Sequence, residues 1–582
     1  MPDTGKGTRS DFAHYQRELG SWLHANVCDV RALGPDEIKG YDWKHVVAGW
    51  RIRLPESERC LKVLLNDSFP YSSIQIAYDG DDRYLHWPHV EEANFLCLPD
   101  DQYLPCENLA YSIQGRLTNA DNLIDNCQSE GYVVSESQSE FLTYWGRQDG
   151  ALPAISQIDV ENTKPRKIAA RLCEGRYIVG EDDDQVLSWL TNSKKDSFSS
   201  PVQALFAFIE DSPALPLPKS GRQFIGRQLN QAANLDGLLH GISPFEPTIV
   251  ILASHGDSGA ALFGAKLHAQ RRDGFRATTD PKMVRRIWSS VSSYAPIRVQ
   301  RADSGWIHGR DQDRAGHRTL SGSNVVLVGA GSLGSQVACR LAQAGVGRLI
   351  IIDPESLEPS NVGRHALGIE SINKSKAHSL ADLLSIKYPH GNFKGWVGRW
   401  QDVFRDQPRI FEEADLVVSC TGEITDDLAW DAMHQSGKTG DAPTLYGWLG
   451  TQGSTGHALA LRSGGPAFSC VFDLDGVIKL PDTEFEEGDQ RRAEPACGTE
   501  FQPYGPLATG QVELLVSRTA IDILMGKALL PHHRVCACST QDLEEIGGRW
   551  TAHHNTHRPN GYDGPFEYLS TVARCNNCHN CR

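Results

Sequence analysis

The run VVLVGAGSLGSQVACRLAQAGVGRLIIIDPES, residues 325–356, admits few folds. Two short strands that are apolar at every position flank a glycine-rich turn and an apolar-faced helix. Strands apolar on both faces belong to parallel sheets covered on both sides, and parallel neighbours need a crossover helix. The order is therefore a βαβ unit opening a doubly wound, Rossmann-like domain. Gly329, Gly331 and Gly334 form G-x-G-x-x-G, and Asp353 ends the second strand about twenty residues on. Such glycines let backbone approach phosphate oxygens at a helix N-terminus, and such a carboxylate takes ribose hydroxyls. Alone, this pattern equally fits a dehydrogenase.

The next segment, PESLEPSNVGRHALGIESINKSKA, separates the two readings. It carries Asn361, Arg364, His365, Lys374 and Lys376. Hydride transfer has no use for so many cationic and amide groups near the phosphates, whereas adenylate formation from ATP and Mg²⁺ needs them to stabilise transition-state charge. The run resembles the adenylating domain of the ubiquitin-activating superfamily, of the ThiF type found in bacterial activators of sulfur-carrier proteins. Asp353 to Asn361 is eight residues and Asn361 to Arg364 three, as that family spaces them, with His365 where it has Gln. The resemblance implies that Asp353 binds ribose, that Asn361, Arg364 and Lys376 handle the triphosphate, and that the domain dimerises. The family also borrows an arginine from ahead of the glycine-rich strand, for which Arg310, Arg314 and Arg318 are candidates.

Two departures stand out. Gly422 in VVSCTGEITDD occupies the position of the family's magnesium-binding Asp, with Glu423, Asp426 and Asp427 as replacements. In GGPAFSCVFD only Cys470 remains of the family's zinc-binding C-x2-C, with Ala467 at the first position. The terminal RCNNCHNCR supplies Cys575, Cys578 and Cys581 as candidate structural zinc ligands, with Cys536 and Cys538 nearby; an unligated tail and a redox role are the alternatives. Cys497 is the cysteine of the segment resembling the family's catalytic crossing loop, and Arg491, Arg492 and a helix start near it favour a thiolate.

An enzyme that ends in a thioester needs an acceptor, and the first 150 residues resemble a ubiquitin-conjugating enzyme: helix, antiparallel strands, a proline turn, a cysteine, then helices. Trp87, Pro88 and His89 fill the turn, and Cys97 follows His89 by eight residues in FLCLP. The resemblance implies that Cys97 is the acceptor thiol. His89 replaces the family's Asn, as oxyanion donor, base or loop support. Cys60, Cys106 and Cys127 lack this context and read as packing residues.

The expected fold class is α/β and α+β multidomain: a ubiquitin-conjugating-like α+β domain at 1–150, a middle α+β linker or docking domain at 151–305, and a Rossmann-like, ThiF-type adenylating domain at 306–582. With 582 residues the chain needs several cores. A net charge of -16 argues against a nucleic-acid partner. No apolar run reaches membrane-span length and the N-terminus lacks a signal-peptide core, so a cytoplasmic protein without a membrane partner is expected. Fifteen scattered cysteines in a reducing compartment read as thiols or metal ligands.

The domain order resembles the bacterial fusion enzymes of antiphage (CBASS) systems that accompany cGAS-like nucleotidyltransferases. That resemblance implies a relay: a partner's C-terminal carboxylate is adenylated with ATP·Mg²⁺, passed to Cys497, then to Cys97, then to a target lysine. The cargo is the C-terminus of such a nucleotidyltransferase, or a ubiquitin-like protein. Two other readings stay open: activation of a ubiquitin-like or sulfur-carrier protein for biosynthesis, and a non-catalytic binding scaffold.

Overall fold

The computed structural model describes residues 5–100, 102–256, 259–272, 278–290, 293–309, 314–472, 478–486, 492–493, 500–560 and 562–575. It divides into two compact units, Met1–Ile155 with Val160–Val179 and Ser200–Gln300, and Ser156–Asp159 with Gly180–Ser199 and Arg301–Arg582. No described helix is long and apolar enough to cross a membrane.

The first unit opens with helix α1 (Gly5–Asn26) and an antiparallel meander, β1 (Cys28–Ala32), β2 (Val46–Arg53), β3 (Cys60–Asn66) and β4 (Gln75–Tyr78). Alternation decides which face is buried: Trp50 and Ile52 on β2 and Leu61, Val63 and Leu65 on β3 point into one core. That core is closed by Leu19 and Leu23 of α1 and by Leu109, Ile113, Leu117 and Ile124 of helix α2 (Pro105–Asn126), whose spacing makes one helical stripe. Helices α3 (Glu130–Ser139) and α4 (Phe141–Gly146) follow.

After α4 the chain forms a closed seven-stranded barrel. Its strands are β5 (Leu152–Ser156), β6 (Arg166–Cys173), β7 (Arg176–Gly180), β8 (Val202–Ile209), β9 (Thr248–Gly256), β10 (Gly259–Leu267) and β11 (Tyr294–Arg301), in the order β10-β11-β5-β7-β6-β8-β9. Closure removes the exposed strand edges that short strands otherwise present. Phe141, Tyr144 and Trp145 of α4 enter the barrel's core cluster with Phe224 and Phe263, and the Trp145 indole N–H donates to the Gly264 carbonyl at 3.0 Å.

The second unit is a mixed eight-stranded sheet of β12 (Asn324–Val328), β13 (Arg348–Asp353), β14 (Asn392–Val397), β15 (Leu416–Ser419), β16 (Thr444–Leu449), β17 (Thr455–Leu461), β18 (His532–Ala537) and β19 (Phe566–Ser570). The order is β14-β13-β12-β15-β16-β17-β18-β19, with the first five strands parallel and the last three added antiparallel. The apolar runs explain the two-sided burial. Val325, Leu327, Leu349 and Ile351 pack with helices α5 (Ser332–Gln343), α6 (Lys376–Lys387) and α8 (Pro506–Leu524), while Val326, Val328, Ile350 and Ile352 pack with Trp400, Phe411 and Trp430. Trp430 lies on helix α7 (Ile424–Gln435). Strand order reverses between β12 and β15, so their carboxyl ends open a crevice where open α/β sheets take ligands.

Candidate functional site

The glycine-rich turn lies at that crevice, and each glycine has a separate cause. Gly329 has φ +87°, and a Cβ there would come within 2.7 Å of the Cys420 carbonyl at the end of β15. A Cβ on Gly334 would sit 1.9 Å from the Gly329 carbonyl oxygen, so this residue closes helix against turn. Gly331 caps α5 with φ -74°, and a Cβ there would meet nothing within 4 Å. Its openness is what an incoming phosphate needs.

Asp353, buried at the end of β13, holds the turn in place. One carboxylate oxygen accepts the Ala330 N–H at 2.7 Å and the other accepts the Glu355 N–H at 2.8 Å, while burial pushes the carboxyl's pKa up. His365 grips the same peptide from its other side. Its Nδ1 accepts the Leu367 N–H at 3.0 Å, so the ring proton is on Nε2, which donates to the Ala330 carbonyl at 2.6 Å; burial lowers the pKa of this imidazole. The residue standing where the resembling family has Gln thus orders the glycine-rich turn.

Lys376 begins α6, is 5% exposed, and its Nζ donates to the exposed Glu355 at 2.5 Å. Asn361 ends a short 3-10 turn, Pro359–Asn361, and its side chain accepts the Glu358 N–H at 3.1 Å. Arg364 lies with its guanidinium carbon 4.6 Å from the centre of the Tyr504 ring and donates to the Tyr504 carbonyl at 3.4 Å. The Tyr504 hydroxyl is 2.9 Å from Ser332 at the start of α5. Tyr504, two residues ahead of α8, therefore ties the start of that helix to the glycine-rich turn. Cys497 itself lies outside the described residues.

At the end of β15, Gly422 has φ +72° and no room is contested around it. Of the three candidate magnesium carboxylates, Asp427 is turned inward: it accepts from Ser419 at 2.5 Å and Thr421 at 3.2 Å, and burial pushes its pKa up to about 6. Asp426 accepts from Gln401 at 3.0 Å, and Glu423 is exposed beside the turn. With Asp427 engaged by Ser419 and Thr421, Glu423 and Asp426 are the carboxylates left with oxygens for a hard cation. Arg318 is exposed on helix residues 314–322; Arg310 and the Arg314 side chain lie outside the described residues.

Cys575 packs against the buried Cys470 and Ala467, while Cys578 and Cys581 lie outside the described residues. Cys536 is built into β18 and the core, and burial holds its thiol up at about 12 and that of Cys538 at about 11.

In the first unit Cys97 is exposed, and its N–H donates to the His89 carbonyl at 2.8 Å. The turn is rigidly held. Asn94, buried, accepts the Arg83 N–H and donates to the Gly80 and Asp81 carbonyls, and buried Arg116 of α2 donates to the carbonyls of Ile74 and Pro99 on either side of the cysteine. His89 has φ +56° and its N–H donates to the Tyr144 hydroxyl at 3.0 Å. Its Nε2 is 3.0 Å from Glu136 and its Nδ1 3.4 Å from Glu140, both carboxylates at the α3 end. The neighbouring Cys97 thiol and then these carboxylates raise the pKa of His89 to about 9, against the opposing effect of burial. Cys127 is buried, its thiol pushed up to about 12, and Cys60 and Cys106 are partly buried.

Residues 309–557 match the ThiF family and residues 27–151 match prokaryotic E2 family B. The chain thus joins an E2-like domain to a ThiF domain. Similar curated proteins include the adenylyltransferase and sulfurtransferase uba4 of Aspergillus clavatus, 32% identical over 162 residues, covering 27% of this chain and 32% of that protein. Another is the ATP-dependent ubiquitin transferase-like protein Cap2 of Pseudomonas aeruginosa, 31% identical over 169 residues, covering 28% of this chain and 29% of that protein. The matched part spans about a third of these relatives' length. Among solved structures, E. coli MccB with MccA-N7isoASN aligns at a TM-score of 0.32 and 16% identity over 46% of this chain and 69% of that one.

In the ThiF domain, sequence reasoning missed Tyr504 and Glu355, whose roles come from long-range contacts that no local motif announces. In the E2-like domain it missed Glu136, Glu140 and Tyr144. Glu136 and Glu140 are spaced i, i+4 on a helix beyond the family's motifs, which was the available signal.

Proposed function

We propose that the chain is an ATP-dependent activating and conjugating transferase: it adenylates a partner protein's C-terminal carboxylate, captures it as a thioester on Cys497, transfers it to Cys97 and delivers it to a lysine. The single observation that carries this reading is the pairing, in one chain, of a glycine-rich nucleotide crevice with an exposed cysteine held against a histidine. Bound ATP·Mg²⁺ supplies the phosphoric anhydride that activates the carboxylate. The chain's own residues do the rest: the open face at Gly331 and the N-terminus of α5 receive phosphate charge, Asp353 and His365 fix the turn, and Arg364 and Lys376 supply cations. Glu423 and Asp426 would hold the metal.

Adenylation is the demanding step, and the two later exchanges trade one thioester for another. Joining both domains in one chain raises the effective concentration of the second thiol. The name of Cap2, an ATP-dependent ubiquitin transferase-like protein, favours this chemistry over hydride transfer. We assign the cargo to the C-terminus of a cGAS-like nucleotidyltransferase, with a homodimer through the ThiF domains, a cytoplasmic setting, and structural zinc at Cys575, Cys578 and Cys581; the packing of Cys575 on Cys470 supports a fourth thiolate there. The test is thioester capture with ATP and candidate partners. Capture of a ubiquitin-like or sulfur-carrier protein as a thiocarboxylate, with Cys97 dispensable, would favour the biosynthetic reading instead, and absence of any adenylate would favour a scaffold.

A further inference from the structure

The surroundings of Cys97 go beyond what an acceptor thiol needs. Beyond the cysteine and α2, helices α3 and α4 return two carboxylates and a buried tyrosine to the cysteine's turn. Glu136 and Glu140 stand one helical turn apart and face the His89 ring, Glu136 at Nε2 and Glu140 at Nδ1. The Tyr144 hydroxyl donates to Glu140 at 2.9 Å while accepting the His89 N–H, so it fixes both the second carboxylate and the histidine backbone. Tyr144 is 2% exposed and belongs to the barrel's core, which makes the barrel a buttress for this site. Glu91, two residues beyond His89, is taken up by Lys44 at 2.8 Å and Arg147 at 2.9 Å and leaves the ring to the other two acids.

We propose that Cys97, His89 and Glu136 form an acid–base relay in which Glu136, backed by Glu140, is a positioning residue that orients His89 and holds its charge, so that His89 takes the Cys97 proton. The geometry is that of a thiol nucleophile with an adjacent base oriented by a third group. The inference rests on the reading of Cys97 as the acceptor thiol. At rest the Cys97 proton sits on His89, leaving a thiolate beside an imidazolium. In the transfer the Cys97 sulfur bonds the thioester carbonyl carbon, the carbon–sulfur bond to Cys497 breaks, and the Cys497 sulfur leaves with that electron pair as a thiolate, so no further proton is needed. The raised pKa of His89 is consistent with a ring that holds a proton at neutral pH next to the sulfur.

The test is the pH dependence of Cys97 alkylation by uncharged chloroacetamide in the full chain, read by peptide-resolved mass spectrometry. It needs neither ATP nor cargo, so its outcome is separate from that of the conjugation reading. The expected result is that Glu136→Gln moves the profile's midpoint up by about one pH unit, slowing alkylation about tenfold on its acid side. Glu140→Gln moves it less, the double variant more, and His89→Gln abolishes the coupling. Unchanged far-UV circular dichroism separates these shifts from misfolding. Superimposable profiles for wild type and the double variant overturn the proposal. So does a wild-type profile that changes on adding EDTA, because His89, Glu136 and Glu140 bring ligand atoms within 4.8 Å of one another and would then be serving a metal ion.

Discussion

Gly331 and Gly334 sit three residues apart in one turn, yet adding a methyl group to each should do opposite things. At Gly334 the new carbon would lie 1.9 Å from the Gly329 carbonyl oxygen, against the roughly 3.2 Å that such atoms tolerate. Opening that gap by over 1 Å means prising α5 off a turn whose peptides are pinned by Asp353 and His365. Overpacking of this kind costs about 1–3 kcal/mol, which lowers Tm by roughly 2–12 °C in a domain of this size. At Gly331 the methyl meets nothing within 4 Å and φ is -74°, so Gly331→Ala should leave Tm within about 1 °C. It would, however, stand where a phosphate must approach, and ATP affinity should fall roughly tenfold or more. The assays are differential scanning fluorimetry and ATP titration on both variants. A Gly334→Ala protein of unchanged Tm would refute the close packing. Gly331→Ala with unaltered ATP affinity would refute the crevice as the phosphate site.

Further outcomes follow from the same geometry. Burial raises the Asp427 carboxyl to about 6, so the folded state binds more protons than the unfolded one between about pH 4 and 6, and stability falls as pH rises through that window. Asp427→Asn, which keeps an oxygen for Ser419 and Thr421, should raise Tm at pH 7.5 by the equivalent of about 1–3 kcal/mol and lose that advantage by pH 4. His89 has the opposite sense: its raised pKa gives stability that is complete below about pH 6.5 and lost as pH climbs through about 9, so the Tm gap between wild type and His89→Gln should close between those limits. Trp145→Ala removes a fully buried indole from the barrel core and should cost about 3–5 kcal/mol by urea denaturation. Lys376→Ala should abolish adenylate formation, followed as ATP–pyrophosphate exchange, while leaving the fold; exchange at the wild-type rate would remove Lys376 from the site.

What the sequence made legible was whatever is local and periodic. The glycine-rich turn, its two flanking apolar strands and Asp353 lie within thirty residues, and their pattern is dictated by parallel-sheet burial. The α2 stripe of Leu109, Ile113 and Leu117 was equally visible because one helix face must be apolar. The closed barrel was not, since closure depends on strands β5 to β11 pairing across 150 residues and on a parallel β8–β9 contact that alternation cannot announce. The sites show the same division. Spacing alone picked out His89 and Cys97 as candidates, but the carboxylates that stand beside His89 arrive from a helix some forty residues later. Tyr504 reaches Ser332 across 172 residues, beyond any motif.

The central claim is a two-cysteine relay, and thioester trapping tests it most directly. Wild type, Cys97→Ala and Cys497→Ala chains are incubated with ATP, Mg²⁺ and a cGAS-like partner carrying its native C-terminus, then resolved on gels with and without reductant. The relay predicts reducible adducts on both cysteines in wild type, only the Cys497 adduct in Cys97→Ala, and none in Cys497→Ala. A Cys97 adduct that persists in Cys497→Ala, or adducts indifferent to both substitutions, would contradict it.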